Sequence, residues 1–200
     1  MVDGLTFEED GHVYRWNGVV VPGVTQLLQG LHSFAGVPLE VLQVAQERGT
    51  DFHDMTQMVD EDDLDEDRLK AECPHLHAYL PGYRKFLLDC SPNWRHIEEP
   101  VFHRQLRYAT RPDRIGEFKY QGKRVADAVV EYKTSAAPHA VWGIQTMAQA
   151  HAAGRPTARR FSLQVTPDGA YRLREWIDPD DWPAFVSLLT LYQWRKRNGL

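Results

Sequence analysis

Cysteine is scarce: the 200 residues contain two, Cys73 and Cys90. A disulfide framework is therefore not expected, and an iron–sulfur cluster held by cysteine thiolates alone, which takes four, is excluded. Long apolar runs are missing too. No stretch approaches the roughly 20 residues that cross a bilayer, and the first residues lack a basic-then-apolar leader, so a cytoplasmic protein without membrane contact is expected. Positive charge is in deficit, with 23 Lys and Arg against 28 Asp and Glu and a net −5. Taken as a total, that argues against a nucleic-acid partner. Internal repeats and low-complexity linkers are absent, and the length suits one domain, residues 1–200. Within it, a β-hairpin and helices are expected over 1–93, and sheet strands with helices over 94–200.

The charge that is present is unevenly placed. Residues 1–100 hold 7 Lys and Arg against 19 Asp and Glu, whereas residues 101–200 hold 16 against 9. Arginines gather at Arg104, Arg107, Arg111 and Arg114, and again at Arg155, Arg159 and Arg160. A local positive field attracts a polyanion even on an acidic protein, which makes these seven the nucleic-acid-binding candidates. Attraction between the two halves, or plain solvation, accounts for the same asymmetry. The acidic block Glu61–Asp67 reads as a solvated loop or frayed helix face.

Periodicity and turn residues outline the elements. Val13–Trp16 and Val19–Val21 flank Asn17-Gly18, a hairpin signal, and a short helix begins at Val24 or Thr25. Pro38 opens a helix with apolar positions Leu39, Leu42, Val44 and Ala45, which Gly49 breaks or kinks. Another helix covers about His75 to Cys90, interrupted at Pro81-Gly82. Strands follow from Trp94, then a helix from about Pro138 to Ala153, two strands joined by Pro167-Asp168-Gly169, and a last helix from about Asp180 to Asn198. This order predicts an α/β fold with a mixed central sheet flanked by helices, plus an N-terminal hairpin.

The chemistry gathers between Arg111 and Ser135. This stretch reads as a hairpin turning at Tyr120-Gln121-Gly122, with Asp113 on one arm and Glu131 and Lys133 on the other. Side chains alternate along a strand, so Glu131 and Lys133 share a face. A symmetric register about Gly122 brings Asp113 opposite Glu131 unless a bulge shifts it. Two facing carboxylates repel unless a cation lies between them, and Mg²⁺ takes one or two carboxylates plus substrate phosphates. A neighbouring lysine can orient or help deprotonate a water there, and these are the parts that phosphodiester hydrolysis needs. A surface salt bridge remains the plain alternative. Asp127, four residues before Glu131, is read as solvated or supporting. Cys73, His75 and His77 lack a fourth zinc ligand at the usual spacing. Trp142 reads as core.

Pro112-Asp113 followed by Glu131-Tyr132-Lys133 resembles the PD-(D/E)XK nuclease superfamily. The wider context is similar to its RecB-like and lambda-exonuclease-like branches. Arg48-Gly49-Thr50-Asp51-Phe52-His53 looks like their early helix segment, and Glu98-Glu99-Pro100-Val101 like their acid before a strand. Tyr108 to Gly116, Glu131 to Ser135, and Gln145-Thr146-Met147-Ala148-Gln149 look like the remaining motifs. Gln149 stands where the motif has tyrosine, and Thr110 where it has glycine. The resemblance implies a restriction-endonuclease-like core and a hydrolase acting on DNA. Its expected form is a phage- or prophage-type exonuclease for recombination or processing, in a bacterial or phage-infected cell. It implies one or two Mg²⁺ or Mn²⁺ ions held by Asp113, Glu131, the Tyr132 carbonyl, Glu99 and His53, with Glu98 the less favoured neighbour. Asp113, Glu131, Lys133 and Gln145 would be catalytic, Lys133 acting on the attacking water and Gln145 holding the lysine or the DNA. The same resemblance admits a homo-oligomer and a recombination partner protein. A structure-specific endonuclease and an inactive nuclease-fold module that binds nucleic acid or protein are the alternatives.

Overall fold

Asn17 and Gly18 both adopt positive φ, 49° and 78°, the two-residue turn geometry whose twist matches that of the flanking strands. It joins β2 (Val13–Trp16) to β3 (Val19–Val21), and β1 (Leu5–Glu8) pairs on the other side of β2 to complete a three-stranded antiparallel sheet. The computed structural model describes residues 3–31, 38–135 and 137–200. The short helix α1 is Val24–Leu28.

Helix α2 runs unbroken from Leu39 to Asp60, straight through Gly49, where a kink is expected from the sequence. A helix-interior glycine costs about 1 kcal/mol relative to alanine, too little to interrupt a helix anchored further on. The anchor is Phe52, Met55 and Thr56, all buried, whereas Leu39, Val41 and Val44 at its start are exposed. The acidic block divides: Asp65 caps the amide of Arg68, and Glu66 and Asp67 form the first turn of α3 (Glu66–Glu72), where negative charge suits the helix dipole. The expected helix over His75–Cys90 becomes α4 (Pro74–His77) and α5 (Leu80–Cys90), with Pro81 in the first turn of α5 rather than inside it. Gly82 lets α5 lie against the turn at Gly169-Ala170, since a Cβ there would meet the Ala170 carbonyl at 2.7 Å.

The remaining strands are β4 (Asn93–Ile97), β5 (Val101–His103), β6 (Tyr108–Thr110), β7 (Arg114–Tyr120), β8 (Lys123–Lys133), β9 (Arg159–Val165) and β10 (Tyr171–Trp176). Helices α6 (Val141–Ala152) and α7 (Asp181–Arg197) complete the chain. Five strands form a mixed sheet in the order β10-β9-β8-β7-β4, and β5-β6 make a separate pair. Within this sheet β8 and β9 pair in parallel and the other neighbours antiparallel, with α6 as the crossover that a parallel pair requires. One face packs on α2 and α5 through Phe52, Tyr83, Phe86, Phe118, Val130, Tyr132 and Phe161. Burying each such side chain stabilises by about 1.5–3 kcal/mol. The other face carries α6, which in turn packs with α7 and α1 around Tyr108, Ala148 and Phe185.

The hairpin β7–β8 turns at Gln121-Gly122, both with positive φ. A two-residue turn alone would place Asp113 opposite Val130. A bulge sets Ala126 and Asp127 against Glu117 and adds one residue, so that Arg114 pairs with Val130 and Ile115 with Val129. Extending that register by one step brings Asp113 opposite Glu131. The facing expected from the sequence is thus reached by a turn and a bulge together.

Candidate metal centre

The C-terminal end of β8 is where four other segments converge. The β8 strand is apolar enough to be buried on both faces, so the polar residues at its end are drawn in with it. Asp113 is 4% exposed and Glu131 3%. Asp113 Oδ2 accepts from the backbone amide of Tyr132. The N–H and C=O of one strand residue point to the same side, which turns the Tyr132 carbonyl toward Asp113 as well. Lys133, two residues beyond Glu131 and on its face, donates through Nζ to Glu131 Oε1 at 2.7 Å.

Helix α6 closes the same carboxylate from above. Gln145 donates to Glu131 Oε1 at 2.5 Å and Gln149 donates to Glu131 Oε2 at 2.7 Å. Four residues apart, the two amides share one helix face. Gln145, expected to hold Lys133 or DNA, instead donates to Glu131 Oε1, the oxygen that Lys133 also reaches. Gln149, at the position where the motif has tyrosine, joins it. Trp142, on the same helix, is buried against Trp176.

On the opposite side, α2 presents His53. Its Nδ1 lies 3.0 Å from Glu98 Oε1 and 3.4 Å from Asp113 Oδ1. His53, Glu98 and Asp113 each offer one ligand atom, and these atoms lie within 4.8 Å of one another. The expectation for Glu99 is corrected: Glu98 turns inward and Glu99 outward. Glu98 takes a left-handed φ of 51° and donates its amide to the Asp113 carbonyl, which locks the end of β4 to the start of β7. Glu99 is exposed and pairs with His96 at 3.0 Å. Two adjacent acids are interchangeable in a sequence, and the backbone twist that chooses between them leaves no composition signal.

Beneath the carboxylates lies a network that the sequence did not reveal. Arg114 is wholly buried, donating to Asp60 Oδ2 at 2.6 Å, Glu98 Oε1 at 3.3 Å, Thr56 Oγ1 at 3.3 Å and the Asp113 carbonyl at 2.7 Å. Asp60 also accepts from the Tyr83 hydroxyl at 2.7 Å. Arg111, partly exposed, forms an ion pair with Glu98, Nε lying 3.3 Å from Oε2, and sits over the Phe7 ring.

These neighbours set the proton affinities. Burial pushes Asp113 above its ordinary value, Glu98 adding to this while His53 and Lys133 oppose it. Burial raises Glu131 as well, with Asp113 adding and Lys133 opposing. Burial alone would lower Lys133 and His53. For Lys133, Glu131 and Asp113 outweigh it, and for His53, Asp113 and Glu98 do, so both are raised. The four carboxylates Asp60, Glu98, Asp113 and Glu131 face the three permanent cations Arg111, Arg114 and Lys133. His53 adds an imidazole to the same cluster, beside Glu98 and Asp113. Oxygen-rich donors with one imidazole suit a hard divalent ion.

The expected nucleic-acid arginines fall into three groups. Arg114 and Arg160 are corrected to internal residues: Arg160 is buried and donates to Asp181 at 2.6 Å and to the Gly143 carbonyl. A charge buried beside strands needs a fixed partner, and each has one. Arg111, Arg155 and Arg159 are in ion pairs, with Glu98, Asp127 and Glu175. Arg104 and Arg107 are exposed, Arg107 lying over the Trp16 ring. Asp127 sits in the bulge between Arg95 and Arg155 and is held there by both. Compared with family models and with curated proteins, the chain matches none.

Proposed function

We propose that this chain is a metal-dependent nuclease with a restriction-endonuclease-like core that hydrolyses DNA phosphodiester bonds, working inward from ends. The observation that carries this reading is the convergence of buried Asp113 and Glu131 with Lys133 at one strand end, beside the half-buried donors His53 and Glu98. Surface pairs of the same residue types would be solvated and worth little. Here, carboxylates are held out of water at a cost that a cation would offset.

Asp113, Glu98, His53 and Glu131 are the residues that would hold the ion, with the Tyr132 carbonyl beside them. A bound Mg²⁺ or Mn²⁺ would polarise a phosphoryl oxygen and make a nearby water more acidic. Lys133 is tethered by Glu131 and points its ammonium into the same space. It can orient the attacking water and donate to the phosphoryl group as negative charge develops there. Gln145 and Gln149 fix the Glu131 carboxylate so that its angle toward the reacting phosphate does not drift.

The test is cleavage of end-labelled linear duplex and single-stranded DNA beside a closed circle, with Mg²⁺ or Mn²⁺ and with chelator. Wild type should degrade linear DNA only with metal, and K133A should lose about 10²-fold or more, the usual loss on removing one donor to the developing charge. A surviving circle marks an exonuclease, and a nicked circle an endonuclease. DNA bound but never cut, with any divalent ion, would overturn the reading in favour of an inactive binding module.

A further inference from the structure

A nuclease site surrounded by carboxylates repels the strand it must hold, so cations outside the donor set have to carry the approach. Most arginines near the site are already committed to ion pairs or buried. The sheet register shows where uncommitted charge lies. Lys133 pairs with Gln164 on β9, which pairs with Arg172 on β10; Glu131 pairs with Ser162, which pairs with Arg174. Residues in register across a sheet point to the same face, and two strand spacings span about 10 Å. Arg172 and Arg174 therefore lie on the face of Lys133, at the sheet's edge. Both are exposed, and neither has an ion-pair partner among the described residues.

A second observation links the same points. Lys133 Nζ lies 5.9 Å from the Trp142 ring, Trp142 meets Trp176 edge-on at 6.4 Å, and the Arg174 guanidinium lies 4.3 Å over Trp176. An indole floor thus runs from the lysine to the edge arginine. Gln164 in the middle is buried, with its amide nitrogen on the Ser135 carbonyl, and acts as scaffold.

We infer that Arg172 and Arg174 form a phosphate track that receives the nucleic-acid strand beside the scissile position, in line with Lys133. The track rests on the nuclease reading for the identity of its anion, a phosphodiester strand. Guanidinium groups on a sheet edge contact backbone and read no sequence, so binding through them is sequence-independent.

The experiment is fluorescence anisotropy of labelled single-stranded and duplex oligonucleotides with the full chain in EDTA, across about 50–200 mM salt, the range over which phosphate contacts are read. Compared with wild type, R172A/R174A should bind more weakly. Its log K against log salt slope should be shallower by about 1.4 for single strands or about 1.8 for duplex, the loss of two phosphate contacts. R172K/R174K should restore the slope, and R159A, whose arginine is already paired with Glu175, should leave it unchanged. In cleavage assays the double alanine variant should raise KM at unchanged kcat. An unaltered slope in R172A/R174A, or no DNA binding by wild type, overturns the track. Cleavage with an unaltered slope leaves the nuclease and removes the track. Binding that depends on both arginines, without cleavage under any metal, keeps the track and removes the nuclease.

Discussion

Gln149 donates through its amide nitrogen to Glu131 Oε2 at 2.7 Å, while Oε1 of the same carboxylate takes Lys133 and Gln145. Each oxygen of a buried charge is thereby satisfied. Replacing Gln149 with leucine keeps much of the bulk and removes the donor to Oε2. Hydrogen bonds to charged groups contribute about 1.5–3 kcal/mol, so Q149L should lose about that much stability in chelator, measured by urea unfolding. Divalent metal should recover part of the loss, because a cation at Glu131 offsets the same charge. Equal stability of Q149L and wild type would mean that Glu131 is protonated in the metal-free fold.

His53 supplies a pH dependence of known sign. Its proton affinity is raised above the ordinary 6.5, because Asp113 and Glu98 outweigh burial. A group raised in the fold stabilises fully below its unfolded value and loses that contribution as pH climbs through the folded one. The stability advantage of wild type over H53Q in EDTA should therefore be largest below 6.5 and shrink at alkaline pH. In an NMR titration, His53 should titrate above 6.5, and His12, His103 and His151, lowered chiefly by burial, should titrate below it. A His53 that titrates with those three would remove its contact with the carboxylates.

Much of the layout was legible because local signals agreed with the fold. Asn17-Gly18 gave a hairpin, and alternation put Glu131 and Lys133 on one face; that the amides of Gln145 and Gln149 both close on Glu131 emerged only with the fold. The facing of Asp113 and Glu131 was reached through a bulge, which from the sequence alone is only a possible disturbance and which here compensates a shorter turn. What stayed hidden depends on contacts distant in sequence. Arg114 reads as a surface cation until Asp60, 54 positions earlier, and Glu98 are folded around it. Arg160 is likewise explained by Asp181. Charge clusters in a chain do not distinguish cations that meet solvent from cations consumed inside.

Glu98 and Glu99 give a paired test of the donor set. E98Q removes one ligand atom of the group formed with His53 and Asp113, whereas E99Q removes an exposed partner of His96. A ligand that binds only the fold stabilises it by about 2.7 kcal/mol at a hundred times its dissociation constant. Wild type and E99Q should both show a rise in Tm on adding Mn²⁺, and E98Q should need a much higher concentration for the same rise. Equal responses in E98Q and wild type, with none in E99Q, would restore Glu99 as the ligand.

Arg114 separates internal charge from DNA contact. It is wholly buried and its guanidinium holds Asp60 and Glu98 together. Removing one member of a buried ion pair leaves the others uncompensated, at about 3–5 kcal/mol. R114M should lose about that much, and R114M/D60N should lose less than the sum of the two single changes, because neutralising Asp60 relieves the charge that R114M exposes. Where R114M is still folded, at low temperature, the salt slope of its DNA binding should equal that of wild type, since no phosphate reaches a buried side chain. A shallower slope with little lost stability would instead bring Arg114 to the surface and return it to the nucleic-acid contacts.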